Sequence, residues 1–198
     1  MELVLCFAIA YLVLYAVVWL HEIGHALWYR RYGLKRDWWK VQVKPYLFFS
    51  TPGAVYEDAW QALEPMQVVS IAYGGIMANA LFAVLSGALI LALRDADSYL
   101  QLALWLFMTF HMGELVSYLL VGSIILVSDM KLVHTYLPGA RVPNILVGTI
   151  ILIAYLYVLS MVPEDSKLFV LIWNATTVIS MCAGRIVSTA RTERAARD

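Results

Sequence analysis

Long apolar runs separated by short polar breaks dominate the chain. A membrane helix needs about 20 mainly apolar residues. The runs at about 3–28, 68–93, 144–162 and 168–187 meet that requirement. A fifth, at about 100–127, is longer than a straight span needs. At about 1.5 Å per residue it would reach about 42 Å, against a hydrocarbon core of about 30 Å. It is therefore expected to tilt or break, with Gly113 and Gly122 as the weak points. The first run has no positive segment ahead of it and is too long for a signal peptide, so it reads as a retained helix. One connection is long, about 30–67. Within it Val41, Gln42 and Val43 alternate, 46–50 is aromatic and apolar, Thr51-Pro52-Gly53 signals a turn, and Ala54-Val55-Tyr56 follows. The pattern predicts an all-α polytopic membrane protein. About five transmembrane helices and a short membrane-associated β-hairpin after the first would form a single domain over 1–198.

Composition sharpens this picture. Of the 198 residues, 62% are hydrophobic and 14% charged, whereas a soluble domain is nearer half and a quarter. Zero formal net charge excludes a basic nucleic-acid binder, and the aliphatic content excludes disorder. Cys6 and Cys182 lie in apolar runs and read as small buried hydrophobes. The basic residues divide unevenly between the two sides. Six follow the first run, Lys131 and Arg141 follow the third span, and Arg185, Arg191, Arg194 and Arg197 lie near the C-terminal end. Only Arg94 and Lys167 fall on the other side. Positive charge favours the cytoplasm, so five spans with the N-terminus outside and the C-terminus inside are expected, in the cell membrane.

The chemistry concentrates in His21-Glu22-Ile23-Gly24-His25. On a helix, positions i and i+4 share a face, so both imidazoles can bind one metal ion. Glu22 stands about 100° round the helix from His21, where it can act as a general base without being a ligand. A catalytic zinc site wants a third protein ligand. Asp129 follows the third span at a depth comparable with the His pair. Glu114 would lie about 22 Å further out on a helix, so depth favours Asp129. Glu114 remains a functional suspect as an intramembrane carboxyl, either paired with His111 at i+3 or buried in protonated form. In the second span Gly75, Asn79, Ala83 and Gly87 form an i+4 stripe of small or polar residues. The glycines suit close helix packing. Asn79 could hold a neighbouring helix, a substrate strand or the oxyanion of a tetrahedral intermediate.

Together these residues resemble the site-2 protease family of intramembrane zinc metalloproteases, over about 12–133. His21 to His25 matches the family's H-E-x-x-H, and the loop around 44–56 resembles its membrane-associated hairpin. Gly75-Ile76-Met77-Ala78-Asn79 resembles its G-P-x-x-N segment, and Asp129 resembles the aspartate of its D-G motif. Ile76 stands where the family has proline, and Met130 where it has glycine. The resemblance implies a zinc-dependent intramembrane endopeptidase that cuts a substrate transmembrane segment near the cytoplasmic face. One Zn²⁺ per chain would be held by His21, His25 and Asp129, with Glu22 catalytic and Asn79 on the substrate. It implies a membrane-spanning protein substrate, the lipid bilayer as surroundings and no nucleic acid. Two alternatives stand beside it: a membrane metalloprotease with Glu114 as third ligand, and a catalytically inactive scaffold of the same design.

Overall fold

The structure, a computed structural model, describes residues 2–47 and 50–195. Phe48, Phe49 and Arg197, which entered the hairpin and charge arguments, lie outside the described residues. Among the described residues eight α-helices follow in order: α1 (Leu3–Arg31), α2 (Glu57–Gln61), α3 (Pro65–Ala92), α4 (Ser98–Val116), α5 (Ser123–Ile125), α6 (Ser128–Tyr136), α7 (Arg141–Met161) and α8 (Glu164–Ala195). A π-helical segment, Ser117–Gly122, joins α4 to α5. Five stretches among the described residues are helical, long and apolar enough to cross a membrane: Leu3–Arg31, Pro65–Ala92, Ser98–Ile125, Pro138–Met161 and Glu164–Arg191.

Local chemistry sets the helix starts a few residues earlier than hydropathy alone suggests. Pro65 opens α3, where its missing N–H costs nothing, and Glu64 and Gln67 form a reciprocal capping box. The Asp97 carboxylate caps α4 by accepting from the Tyr99 and Leu100 amides. Arg30 and Arg31 close α1 at its negative dipole end.

The third span is the middle of the bundle. Of its apolar window 67% is buried, against 22–28% in the other four. Around it stand α1, α3, α7 and α8. Their outward faces carry Val84, Leu91, Ile150, Ile153 and Ile179, all exposed and apolar, as a lipid-facing surface requires. Some polar groups turned inward tie helices together. Asn174 donates to Thr109 Oγ1 at 3.0 Å and accepts from the Tyr155 hydroxyl at 2.9 Å, which ties α8 to both α4 and α7.

The expected break in the long run occurs near Gly122, where the π-helical segment ends; Gly113 lies inside unbroken α4. Leu126 and Ser128 then take left-handed backbone, with φ of 57° and 53°, and the chain turns into α6. Asp129 therefore sits in the first turn of a separate short helix, not on a continuation of the span.

The β-hairpin is not formed. The described residues contain no strand, only one isolated antiparallel bridge between Gln42 and Thr51. Three features stop a ladder from growing. Pro45 has no N–H to donate. Lys44 to Leu47 forms a turn that leaves Leu47 at φ 64°. The Lys35 ammonium takes the carbonyls of Lys40 and Pro52, one from each segment at one end of the bridge. The connection instead packs inward, with Leu47 buried in the same apolar cluster as Leu14 and Val18.

Candidate metal centre

His21 and His25 lie in the last turns of α1 and are buried, at 4% and 5% exposure. What lets them sit there is the absence of side chains opposite. A Cβ on Gly24 would stand 2.3 Å from the Gly74 carbonyl oxygen, and one on Gly74 would stand 2.6 Å from the Gly24 oxygen. The backbones of α1 and α3 thus meet directly. One residue on, a Cβ on Gly75 would lie 2.4–2.6 Å from the His21 ring, so the ring fills the space that glycine leaves. The small-residue stripe reads as packing at Gly75, whereas Gly87 makes only ordinary contact with Met108.

Three ligand atoms converge. His21 Nε2 and His25 Nε2 are 3.0 Å apart, and Asp129 Oδ2 lies 3.7 Å and 3.4 Å from them. Donors at about 2.0–2.1 Å from a tetrahedral zinc ion stand about 3.3–3.4 Å from one another. The sides of the triangle bracket that size, from 3.0 to 3.7 Å, and two imidazoles with one carboxylate are a donor set zinc accepts. Burial alone would raise the Asp129 carboxyl. The two imidazoles outweigh it and hold the group well below the usual carboxylate range, in the ionised form a cation needs.

Asp129 is delivered by its neighbours. The Ser128 amide donates to Thr189 Oγ1 on α8, and Met130 is fully buried against Ala72, Ile76, Leu115 and Tyr118. Ile76 and Met130, two of the departures from the site-2 protease pattern, belong to this one cluster. Gly122 leaves room for Met130, since a Cβ there would meet its Cγ at 3.1 Å.

Glu114 is paired neither with His111 nor with the His pair. The Arg185 guanidinium of α8 bonds its carboxylate and the Ser117 hydroxyl. Arg185 also lies 3.7 Å from the centre of the Tyr118 ring, which stacks on His21 at 4.7 Å and 10°. Sequence reasoning counted Arg185 only as a topological charge and missed Tyr118. An acid and a base each buried in an apolar run, with no local partner, were the available sign that the two belong together.

Two cavities of about 140 and 150 Å³ flank this cluster, and His21, Glu22, Ser50, Tyr118 and Ser128 line both. Asn79 lines neither. Its amide lies 3.0 Å from His21 Nδ1 and 2.9 Å from His111 Nδ1.

Residues 9–191 match peptidase family M50. The chain belongs to that family. No curated protein and no solved structure matches it. The M50 match covers all five candidate spans except the first residues of α1 and includes every residue of the His–His–Asp cluster. M50 membership makes the chain a membrane metalloprotease by family, of a class that works with zinc on a protein substrate in the membrane.

Proposed function

We propose that the chain is a zinc-dependent endopeptidase that hydrolyses a peptide bond within a substrate transmembrane segment, near the cytoplasmic face. One observation carries the reading: three donor atoms, on α1 and α6, stand at the spacing of a tetrahedral zinc site beside a buried glutamate. His21, His25 and Asp129 would hold one Zn²⁺ per chain. Zinc bound there would lower the pKa of water and polarise the scissile carbonyl.

The remaining work falls to side chains. Glu22 takes the proton of the attacking water and passes it to the leaving amine. It borders both cavities, so the proton acceptor faces the space that a substrate and water would share. Tyr118 fixes the His21 ring by stacking, and Arg185 neutralises Glu114, so Glu114 is engaged elsewhere and does not serve as third ligand. The apolar outer surface fits a bilayer, and the basic excess supports an orientation with the N-terminus outside the cell membrane and the C-terminus in the cytoplasm.

Glu22→Gln keeps the shape of the side chain and removes its basicity. The variant should bind zinc as the parent does and cleave a single-span substrate at least about 10²–10⁴-fold more slowly. Purified protein that binds no zinc, or a variant that cuts at the parental rate, would sink this mechanism.

A further inference from the structure

The two imidazoles of the cluster are held by unlike partners. His25 Nδ1 faces the Ile71 carbonyl at 2.7 Å. A carbonyl only accepts, so Nδ1 carries the proton and Nε2 keeps its lone pair. His21 Nδ1 faces the Asn79 side-chain amide, whose other end contacts His111 Nδ1. The two ends of an amide have the same shape, and either can face a given ring. With both rings neutral, two proton arrangements satisfy the contacts. In the first, His111 Nδ1–H donates to Oδ1 and the amide NH₂ donates to His21 Nδ1. The His21 proton then sits on Nε2, 3.0 Å from His25 Nε2, and the imidazoles bond to each other. In the second the amide is turned over. His21 Nδ1–H donates to Oδ1, the NH₂ donates to His111 Nδ1, and His21 Nε2 has a free lone pair beside that of His25.

Asn79 and His111 are both fully buried. His111 is stacked on Phe82 at 5.6 Å and edge-on to Phe107 at 4.5 Å, and neither cavity reaches the pair. A substrate chain could touch Asn79 only by dismantling this packing. What Asn79 does touch is a ligand ring.

We propose that Asn79 and His111 are positioning residues of the metal centre: the amide, held by His111, sets which nitrogen of His21 carries the proton and so whether His21 Nε2 is free to ligate. This rests on reading His21, His25 and Asp129 as a cation site. Partners that orient ligating histidines typically matter about 10–100-fold in metal affinity.

The test uses the full chain in detergent, with Zn²⁺ affinity read by chelator competition and Co²⁺ as a visible-spectrum probe of ligand geometry. Asn79→Leu should lower Zn²⁺ affinity about 10–100-fold and alter the Co²⁺ bands. Asn79→Asp, whose carboxylate accepts from His21 Nδ1–H, should keep parental affinity and spectrum, which separates positioning from folding. His111→Phe should weaken Zn²⁺ in the same direction. Parental Zn²⁺ affinity and Co²⁺ spectrum in Asn79→Leu would overturn the proposal, even if that variant no longer cleaved. Equal losses in the Leu and Asp variants would overturn it as well. A parent chain that binds no Zn²⁺ would instead remove the cation site on which the proposal stands.

Discussion

Gly75 shows how much one absent side chain decides. The His21 ring occupies the volume a Cβ would need, at 2.4–2.6 Å. Gly75→Ala must push the ring or part α1 from α3, and either movement breaks the 3.0–3.7 Å triangle of donors. Zinc affinity should fall by about 10–100-fold, the scale set by loss of a ligand-orienting contact. Gly87→Ala, which meets only Met108 atoms at 3.5 Å and beyond, should leave it unchanged. Chelator competition on the two variants checks the contrast. The His pair itself was legible from sequence, because i,i+4 geometry is local to one helix. The need for glycine opposite it was only half legible. Periodicity marked Gly75 as small, but the partner it accommodates lies on another helix.

At the scale of elements, α8 is fastened beside the cluster through charge. Arg185 and Glu114 are nearly buried, with side chains 11% and 6% exposed. Removing one partner of such a pair strands the other, at about 3–5 kcal/mol. Glu114→Ala should therefore lower the thermal stability of the protein in detergent markedly. Glu114→Leu combined with Arg185→Met should recover most of the loss, because no stranded charge remains. A Glu114→Ala protein as stable as the parent would show that the pair contributes nothing. This pairing links residues far apart in sequence, and no local pattern encodes it. The break after Gly122 was legible as excess length. That the chain resumes as α6 was not, because left-handed Leu126 and Ser128 are residues with no intrinsic preference for that backbone. Packing of Met130 and the Ser128–Thr189 bond hold them there. The hairpin failed for a related reason. Alternation at Val41 to Val43 favours a strand, but Lys35 engages the flanking carbonyls and the core takes Leu47.

For the whole molecule, the division of basic residues makes a topological prediction. In a chain whose two native cysteines are replaced, Arg94→Cys and Lys167→Cys should react with a membrane-impermeant maleimide in intact cells. Arg36→Cys should react only after lysis. The reverse pattern would invert the orientation and move the cluster to the outer face. The apolar composition gave the membrane class correctly, since lipid demands apolar surfaces whatever the interior contains. The interior is where composition said least: His21 with Asn79, Asn79 with His111, Glu114 with Arg185, Tyr155 with Asn174 and Ser128 with Thr189 are pairings that only three dimensions bring together.

The Arg185 contact also has a bearing on biogenesis. Synthesis runs from the N-terminus, so the His pair and Glu22 emerge first, and Glu114 and Asp129 later. The guanidinium that steadies Glu114 and Tyr118, and the Thr189 hydroxyl that receives the Ser128 amide, are made last among these groups. A nascent chain lacking α8 holds Glu114 without its counter-charge and Asp129 without its outer brace. The cavity beside Glu22 that Arg185, Ser188 and Thr189 help to line is thus completed only when α8 joins the bundle.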